Sequence, residues 1–529
     1  MLQRWVVTLF CCSVIYITLF YQLGNLAFMG ADEPRYARIG EEMNLRHSYV
    51  TPTLNFRPWL EKPPLLFWLE AGSFKLFGVH EWSARLPVAL LGLLTLLVVG
   101  WFASYLAGGR AGVLAVLVLC TSSLFFVFAR AASTDMPLAA AFTTAMVCAF
   151  QAWRSNRIIW SAGSGLALGL AVLAKGPVAL VLFVGVFLFC CLLLQKIVWR
   201  WHQIACGALV FLVCTIPWFW LVWMENGYSF VSTFLINHHL ARFVTDIHHH
   251  SQPLWYFPVV IVIGFFPWIC FLGSAVLRAW RSGSHLLHED HSDQLFLWLW
   301  VLVPLVFFSF SQSKLAGYVL PIFPPLAILV AIEWDHYLKG DTLTFRIMRS
   351  QLTVLSVMAF LVVGTLMWFF YSTYRTPVLG ILLILPISAG MVRAWVEFRK
   401  KHSVEVFLSL VAAMTLFAAL AFWKVAPVLD DYHSARDICR VAVPLISQRE
   451  PLILYRYFHH SAHYYAAYQT TQESVVRLED LHRYFLEQPQ SDYYILTQEE
   501  GWEELQELNP ELIRQNGNLY LVRLVSKTG

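Results

Sequence analysis

Long apolar segments dominate this chain of 529 residues and leave it few ways to fold. Hydrophobic residues make up 58% of the sequence and charged residues only 13%, whereas soluble domains contain about 45–50% apolar and about 25% charged residues. A helix crosses the bilayer core with roughly 20 apolar residues, and segments of about that length recur along the chain. A single soluble enzyme is therefore excluded, and we expect an α-helical polytopic membrane protein.

About thirteen transmembrane helices are predicted when the sequence is scanned with this length. They lie near residues 7–24, 86–107, 112–130, 138–152, 158–174, 177–194, 204–224, 255–277, 294–310, 318–335, 351–371, 377–392 and 406–424. The first segment lacks a small-residue cleavage site, so we interpret it as a retained helix rather than a signal peptide. These helices predict a transmembrane domain over residues 1–424, with outer loops at 25–85 and 225–254.

Basic residues gather in every second loop, and this predicts the orientation of the chain, because cytoplasmic loops retain Lys and Arg. With a cytoplasmic N-terminus, the cytoplasmic loops hold Arg110, Arg154, Arg157, Lys196, Arg200, Arg278, Arg281, Lys339, Arg346, Arg349, Arg393, Arg399, Lys400 and Lys401. The net charge of +4 is too small to indicate nucleic acid as a partner. The partner that the composition does predict is the lipid bilayer.

Residues 425–529 differ sharply from the rest in composition. Polar helix-like stretches (433–446, 478–488 and 501–508) alternate with strand-like stretches (452–458, 493–496 and 519–524). An odd number of spans places this segment outside the membrane, so we predict a small C-terminal α/β extracytoplasmic domain. No catalytic motif is recognisable in it, and a structural cap over the membrane domain is the favoured interpretation.

The first outer loop opens with a helix-like stretch that begins near Asp32. Asp32 is expected to be the N-cap, and Tyr36, Ile39 and Met43 recur at helical spacing, which predicts an amphipathic helix on the outer membrane surface. Arg35 and Tyr36 follow Asp32 by three and four residues, so all three side chains share one face. The pattern fits a site, or equally a surface helix with ordinary ion pairs.

The same loop ends in Glu61-Lys62-Pro63-Pro64, directly before an apolar stretch. A Lys before a helix that starts with Pro places its ammonium beside free backbone amides, which is an anion site suited to phosphate. An interfacial Lys that extends to the headgroups is the alternative.

Three shorter outer loops add charged residues on the same side. Asp135 stands at a helix start, Lys175 lies between two spans with almost no loop, and Lys314 precedes Tyr318 by four residues. A charge near a span is costly unless it is paired or faces a water-filled cavity. Simple helix capping is the alternative for Asp135.

Five histidines occur within thirteen residues of the fourth outer loop, at 238, 239 and 248–250. Because His is the commonest metal ligand, zinc is one hypothesis, with Glu61 or Asp246 as an oxygen ligand. The spacing matches no closed structural site, so polar surface is the other interpretation.

Cations aimed at a phosphate, beside carboxylates that can take a proton, suit displacement at a carbon that carries a phosphate leaving group. Outside the cytoplasmic membrane no nucleotide sugar or ATP is at hand, so no nucleotide cofactor is expected. The activated donor should be a lipid phosphate that enters from the bilayer.

These motifs resemble those of lipid-carrier-dependent glycosyltransferases of the GT-C fold, and most of all the lipid A 4-amino-4-deoxy-L-arabinose transferase family, which is related to protein O-mannosyltransferases. The matching pieces occur in family order: Asp32-Glu33-Pro34-Arg35-Tyr36, Glu61-Lys62-Pro63, Thr134-Asp135-Met136-Pro137, Lys175-Gly176, His239-Leu240-Ala241-Arg242-Phe243 and Ser313-Lys314-Leu315-Ala316-Gly317-Tyr318.

The resemblance implies a bacterial inner-membrane enzyme with a periplasmic C-terminal domain, which passes a sugar from a polyprenyl phosphate to an outer-leaflet acceptor such as lipid A. The donor phosphate would lie near Arg35, Lys62 and Tyr318, with Lys314 as a further cation. Asp32, Glu33 and Asp135 are the candidate catalytic residues, and Tyr36, Lys175 and Arg242 are further members of the site.

Similar proteins also hold zinc through a Glu at the position of Glu61 and a His at that of His239. This chain departs from the family in His238, where a Glu is frequent, and in Ala316-Gly317, where the family has a Pro.

The alternative functions are a protein O-mannosyltransferase-like enzyme and, from another class, a secondary transporter or flippase for an anionic glycolipid. Transporters usually contain internal repeats, and none is visible.

Overall fold

A computed structural model describes residues 2–241, 252–283, 285, 288, 291–340, 342–446, 451–471, 474–487 and 492–525. Side chains are described throughout these ranges except at 2–4, 239–241 and 342–346. Arg242 and the side chain of His239, both predicted site residues, therefore lie outside the described part of the chain.

Apolar helices make up most of the chain. In the first half they are α1 (Leu2–Ile15, continued by a π-helical turn at Tyr16–Phe20), α2 (Asp32–Arg46), α3 (Leu65–Phe77), α4 (Glu81–Ala107), α5 (Gly109–Cys120), α6 (Ser123–Phe128), α7 (Asp135–Ser155), α8 (Ile158–Lys175), α9 (Val178–Leu194), α10 (Trp201–Asn226) and α11 (Tyr228–Phe230, continued by a π-helix at Val231–Ala241). A two-stranded hairpin of β1 (Thr53–Leu54) and β2 (Arg57–Pro58) separates α2 from α3.

The second half of the membrane domain continues this pattern. Its helices are α12 (Tyr256–Gly264), α13 (Leu272–Ser282, after a 3₁₀ turn at Trp268–Phe271), α14 (Ser292–Ser309), α15 (Phe323–Leu338, after a 3₁₀ turn at Ala316–Ile322), α16 (Thr342–Tyr374), α17 (Pro377–Arg399) and α18 (Ser403–Leu420). A π-helical turn at Ala421–Val425 leads from α18 into α19 (Ala426–His433). The last apolar helix thus runs past residue 424, where the boundary between the domains was predicted.

Within the described ranges, nine helices are long and apolar enough to cross a membrane. Tyr256–Gly264 and Trp268–Ser282, bent by 104°, add a tenth if they form one span, and Trp5–Phe20, Gly109–Cys120 and Val178–Leu194 are shorter apolar helices. The helical polytopic architecture is confirmed. The count of thirteen requires the bent pair and all three short helices to cross, so it stays a prediction.

Two of these helices form the centre of the bundle. In the apolar windows of Asp135–Ser155 and Ala316–Leu338, 83% of the residues are buried, against 11% in Trp201–Asn226. The central α7 carries small residues such as Ala139 and Ala140, which let neighbouring backbones approach closely. Asp135 and Tyr318 lie at the starts of these two central segments, so both residues belong to the most deeply buried part of the bundle.

The C-terminal segment is an α/β domain, as predicted. Its elements are α20 (Arg436–Ala442), β3 (Ile453–Leu454), α21 (His460–Tyr465), α22 (Leu478–Glu487), β4 (Asp492–Gln498), α23 (Glu499–Leu505), β5 (Glu511–Asn516) and β6 (Leu519–Val525). The strand order is β3-β4-β6-β5, with β3 parallel to β4 and the other pairs antiparallel. Strand β5 was not predicted, because Glu511–Asn516 is a mostly polar edge strand.

Alternate strand residues enter two separate hydrophobic clusters, one on each face of this sheet. Leu454, Leu496 and Leu521 belong to one cluster, and Ile453, Ile495 and Val522 to the other. The period of two along a strand produces this division, and the sheet is covered on both faces.

One local prediction in the first outer loop is wrong. The N-cap of α2 is Ala31 and Asp32 is its first residue, with no side-chain cap. Helix α2 packs between α3 and α21 with most of its side chains buried, and its place on the outer membrane surface stays a prediction. Helix α3 begins at Leu65, so Lys62 stands two residues before the N-cap Pro64.

Candidate active site

The outer ends of several helices surround one cavity of about 720 Å³. Nine of the predicted site residues line it: Asp32, Glu33, Arg35, Tyr36, Glu61, Lys62, Asp135, Lys175 and Tyr318. They come from segments separated by up to almost 300 residues in sequence, so the fold itself brings them together. The sequence prediction of one polar site on one side of the bundle agrees with this placement.

The first turn of α2 contributes three adjoining side chains. Asp32 forms an ion pair with Arg35, and the Nε of Arg35 also donates to the carbonyl of Ala31 at 2.9 Å. The Asp32 side chain is 48% exposed, whereas Arg35 is 21% exposed. The Asp32 carboxylate is therefore open to a ligand in the cavity while its partner stays oriented by the helix.

Tyr36 is buried beneath this pair. Its ring packs against Trp59 and Phe67, with ring centroids 6.0 and 5.6 Å away. Burial raises the pKa of Tyr36 well above its ordinary value, and the nearby Asp32 carboxylate raises it further. The phenol therefore stays protonated and serves the site only as a neutral hydrogen-bonding group.

A second charged pair joins the end of α8 to the start of the central α7. Lys175, the last residue of α8, pairs with Asp135, the first residue of α7. Each charge has the sign that its helix end favours. The Lys175 ammonium also lies 4.7 Å from the ring centroid of Tyr318, so the pair and the predicted phosphate-binding Tyr form one cluster.

Gly317, directly before Tyr318, lies against the side chain of Asp135. A Cβ placed on Gly317 would overlap the carboxylate of Asp135. The backbone before Tyr318 therefore approaches Asp135 as closely as glycine allows.

Glu33 is occupied by structural contacts although it lines the same cavity. Its carboxylate accepts hydrogen bonds from Arg85 Nε and Nη2 at 2.9 and 2.8 Å. It also accepts from the backbone amides of Met29 and Ala132 at 3.0 and 2.9 Å. Four donors leave no lone pair for a proton in transfer, so Glu33 joins the two outer loops instead of acting on the substrate.

Lys314 takes a place different from the one predicted. It is 5% exposed, and its ammonium donates to the carbonyl of Gln252 at 2.8 Å. Leu315, not Lys314, lines the cavity. The prediction that Lys314 binds the donor phosphate therefore has no geometric support, because its ammonium is used to hold the chain near residue 252.

The proposed zinc ligands are only partly described. Glu61 Oε2 lies 3.9 Å from His238 Nδ1, and a carboxylate with an imidazole is a ligand pair that zinc accepts. Among the described side chains no group of three His, Cys, Asp or Glu residues could hold a metal ion. The zinc site through Glu61 and His239 stays a prediction.

The C-terminal domain holds α2 in place, which sequence analysis did not reveal. Arg38 donates to the carbonyl of Tyr464 at 2.7 Å and lies over the ring of Tyr468, 4.0 Å from its centroid. The hydroxyl of Tyr465 donates to Glu81 at 3.0 Å and accepts from the amide of Phe28 at 2.8 Å. The segment that carries Asp32 is thus held by the C-terminal domain as well as by α3 of the membrane domain.

Two arginines of the site were also missed. Arg85 pairs with Glu33, and Arg130 lines the cavity. The signal for Arg130 was present in the sequence as a basic residue at the start of an outer loop. Nothing in the sequence could assign a partner to either residue, because their neighbours come from distant segments.

The arrangement as a whole can bind an anionic headgroup and present an acid to it. Arg35, Lys62, Arg85, Arg130 and Lys175 face the cavity together with four carboxylates. Buried cations and hydrogen-bonding groups that are fixed before the substrate arrives stabilise charge that develops on a leaving phosphate.

The chain is similar in sequence to several known proteins. The model of the family described as dolichyl-phosphate-mannose-protein mannosyltransferase matches residues 61–223. The undecaprenyl phosphate-alpha-4-amino-4-deoxy-L-arabinose arabinosyl transferase of Edwardsiella ictaluri is 30% identical over 312 residues, which cover 57% of this chain and 54% of that protein. The enzyme of the same name from Pectobacterium atrosepticum is 31% identical over 333 residues, covering 60% and 58%. The chain thus matches between half and two thirds of the length of these relatives.

Solved structures extend the likeness to the whole fold. ArnT from Cupriavidus metallidurans bound to undecaprenyl phosphate has a TM-score of 0.79 and 24% identity, covering 100% of this chain and 99% of that one. The apo state has a TM-score of 0.80, also with 24% identity, covering 98% of each chain. The resemblance predicted from the motifs is confirmed: this multi-pass membrane protein has the GT-C fold of the ArnT structures and is related in sequence to the aminoarabinose transferase family.

Proposed function

We propose that the protein is a glycosyltransferase that moves a sugar from a polyprenyl phosphate to lipid A. The observation that carries the proposal is the single cavity in which Asp32, Arg35, Lys62 and Tyr318 meet. The names of the relatives support an undecaprenyl-phosphate-linked aminoarabinose as the donor. The solved structure with undecaprenyl phosphate supports a lipid phosphate as the group that the fold accommodates.

The chemistry follows from the residues of the cavity. The acceptor oxygen attacks the anomeric carbon, the bond from that carbon to the phosphate oxygen breaks, and the lipid phosphate leaves with the electron pair. Arg35, Lys62 and Tyr318 would hold the leaving phosphate and stabilise its growing charge. A single displacement of this kind inverts the anomeric configuration.

The role of Asp32 depends on the acceptor. If the acceptor is a hydroxyl, Asp32 is the side chain exposed to the cavity that can take its proton. If the acceptor is a lipid A phosphate, the nucleophile is already ionised, and Asp32 would orient the sugar's amine or stabilise positive charge at the anomeric carbon. In both cases Asp135 is paired with Lys175, so it positions more than it accepts protons.

Zinc belongs to the proposal as a structural ion. Glu61 and a histidine of the segment 238–239 would hold it, and it would tie the first outer loop to the fourth. The proximity of Glu61 to His238 supports this assignment.

We also propose a bacterial inner-membrane location with a cytoplasmic N-terminus and a periplasmic C-terminal domain. The distribution of Lys and Arg among the loops supports this orientation. A protein acceptor is the second candidate, because the mannosyltransferase family model matches residues 61–223.

The test is transfer by purified protein, with synthetic undecaprenyl-phosphate aminoarabinose as donor and lipid A or an acceptor peptide as substrate. We expect lipid A to be modified, and Asp32→Asn and Lys62→Ala each to abolish transfer without loss of folded protein. Arg57→Ala is the matched control, because it removes an exposed cation from the same loop outside the cavity. Modification of the peptide alone would favour the second candidate, and near-normal activity of both site variants would refute the assignment.

A further inference from the structure

Arg130 is a buried cation that forms no ion pair with an acid of the described residues. Its side chain is 7% exposed, and its Nη1 atom has no hydrogen-bond partner among the described residues. The other buried arginines of this region are paired, Arg85 with Glu33 at 2.8 Å and Arg38 with Glu41 at 2.7 Å. An uncompensated buried charge is strongly unfavourable, so a position of this kind calls for a ligand.

The surroundings of Arg130 fix its guanidinium but do not neutralise it. The guanidinium carbon lies 3.7 Å from the ring centroid of Phe422, in the turn between α18 and α19. The carboxylate of Glu33, which lines the same cavity, is already used by Arg85 and two backbone amides. Burial and the nearby Arg85 guanidinium both lower the pKa of Arg130. A bound anion would relieve both effects.

A ligand in the cavity can reach this position. Arg130 and Phe422 both line the cavity that contains Asp32 and Tyr318. Two other cations of the cavity, Arg35 and Lys175, already face a carboxylate within the described part of the chain. Arg130 therefore gives the cavity a positive charge that no carboxylate in the described ranges compensates.

Arg130 comes from a different segment of the chain than the predicted donor ligands. Arg35 and Lys62 come from the first outer loop, and Tyr318 comes from the turn before α15. Arg130 stands after α6 and against Phe422, which also packs edge-on against Phe126 at 6.0 Å. A reaction with one leaving phosphate needs one phosphate site, so a further cation outside the predicted donor ligands fits the second substrate.

We infer that Arg130 binds a phosphate ester of the acceptor and thereby places the acceptor opposite the donor. This inference rests on the proposed function, because it assigns one cation of that same cavity to the second substrate. A guanidinium suits the task, since its planar fork can donate two parallel hydrogen bonds to one phosphate. The aromatic face of Phe422 keeps that fork in one plane.

The test separates acceptor binding from donor binding. Arg130→Gln and Arg130→Lys are compared with wild type for the KM and kcat of transfer to lipid A, and for the binding of undecaprenyl phosphate alone. We expect Arg130→Gln to raise the KM for lipid A by about tenfold or more, as loss of a charged hydrogen bond does. The kcat and undecaprenyl phosphate binding should change by less than about threefold. Arg130→Lys should keep part of the acceptor affinity, because it retains the charge but not the fork.

A direct binding measurement keeps this inference separate from the proposed function. Fluorescence titration with lipid A and with enzymatically dephosphorylated lipid A requires no transfer. If wild type prefers the phosphorylated form and Arg130→Gln loses that preference, Arg130 is assigned even if no sugar is transferred. An unchanged preference in Arg130→Gln, or an equal loss of undecaprenyl phosphate binding, would overturn the inference. Should Arg130→Gln not fold, Arg130→Lys tests the same preference.

Discussion

Glu33→Gln should destabilise the protein severely, whereas Asp32→Asn, one residue away, should remove activity and leave stability intact. The Glu33 side chain is 9% exposed and Arg85 is 3% exposed, so their charges neutralise each other in a buried site. Gln replaces one carboxylate oxygen by an NH₂ group, which is itself a hydrogen-bond donor. That group would face the donors of Arg85 or Ala132 and could not accept from them. Breaking one side of a buried ion pair costs about 3–5 kcal/mol.

The size of the effect can be expressed as a change in the unfolding midpoint. An unfolding entropy of about 2.1 cal/mol/K per residue, taken over 529 residues, gives roughly 1.1 kcal/mol/K. The midpoint of Glu33→Gln should then fall by about 3–5 °C. Thermal unfolding of the detergent-solubilised chain, followed by tryptophan fluorescence, measures this change beside Asp32→Asn.

The double variant Glu33→Gln with Arg85→Met is the control for the mechanism. Removing both charges leaves no unpaired ion, so the double variant should be more stable than Glu33→Gln alone. The reasoning is refuted if Glu33→Gln unfolds at the wild-type temperature, or if the double variant loses the sum of both single effects. Equal loss of activity in Asp32→Asn and Glu33→Gln at unchanged stability would instead make Glu33 a catalytic residue.

Three further predictions follow from other parts of the site. Gly317→Ala should displace the carboxylate of Asp135 and slow sugar transfer about a hundredfold. Gly72→Ala is the control and should have little effect, because no atom lies close to its added Cβ. Equal transfer rates for the two variants would exclude the steric argument. Burial and the Arg35 guanidinium lower the pKa of His460 to about 4, below its value of about 6.5 in the unfolded chain. The folded protein should therefore be most stable above pH 6.5 and lose stability as the pH drops toward 4. An unfolding midpoint that falls equally in wild type and His460→Gln between pH 7.5 and 5 would contradict this. Elemental analysis should find about one zinc ion per chain and much less in Glu61→Gln; zinc-free wild-type protein with full activity would remove the metal from the proposal.

Local patterns were enough to predict most of the helices and most of the charged residues that line the cavity. Asp32, Arg35 and Tyr36 lie within four positions of one another, and the helical repeat alone places them on one face. The apolar length needed to cross a bilayer similarly located the transmembrane helices. Such predictions succeed because the interacting residues are neighbours in sequence.

Predictions failed where the partner lies far away along the chain. Lys314 resembles a phosphate ligand in its motif, yet its ammonium donates to Gln252. Asp32 and Glu33 are both acidic and adjacent, yet only Glu33 meets a buried arginine from α4. No periodicity specifies which of two neighbouring carboxylates such a residue will meet.

The sequence by itself determined that the chain is a helical membrane protein and that acids and cations gather at one end of its helices. Only the tertiary structure decided how these charges pair: Glu33 with Arg85, Asp135 with Lys175, and Arg130 with no acid among the described residues. The physical reason is that apolar length and helical period act over one helix, whereas the pairing of charges depends on how separate helix ends pack. In a buried site that pairing decides whether a charged side chain stabilises the fold or remains able to bind a substrate.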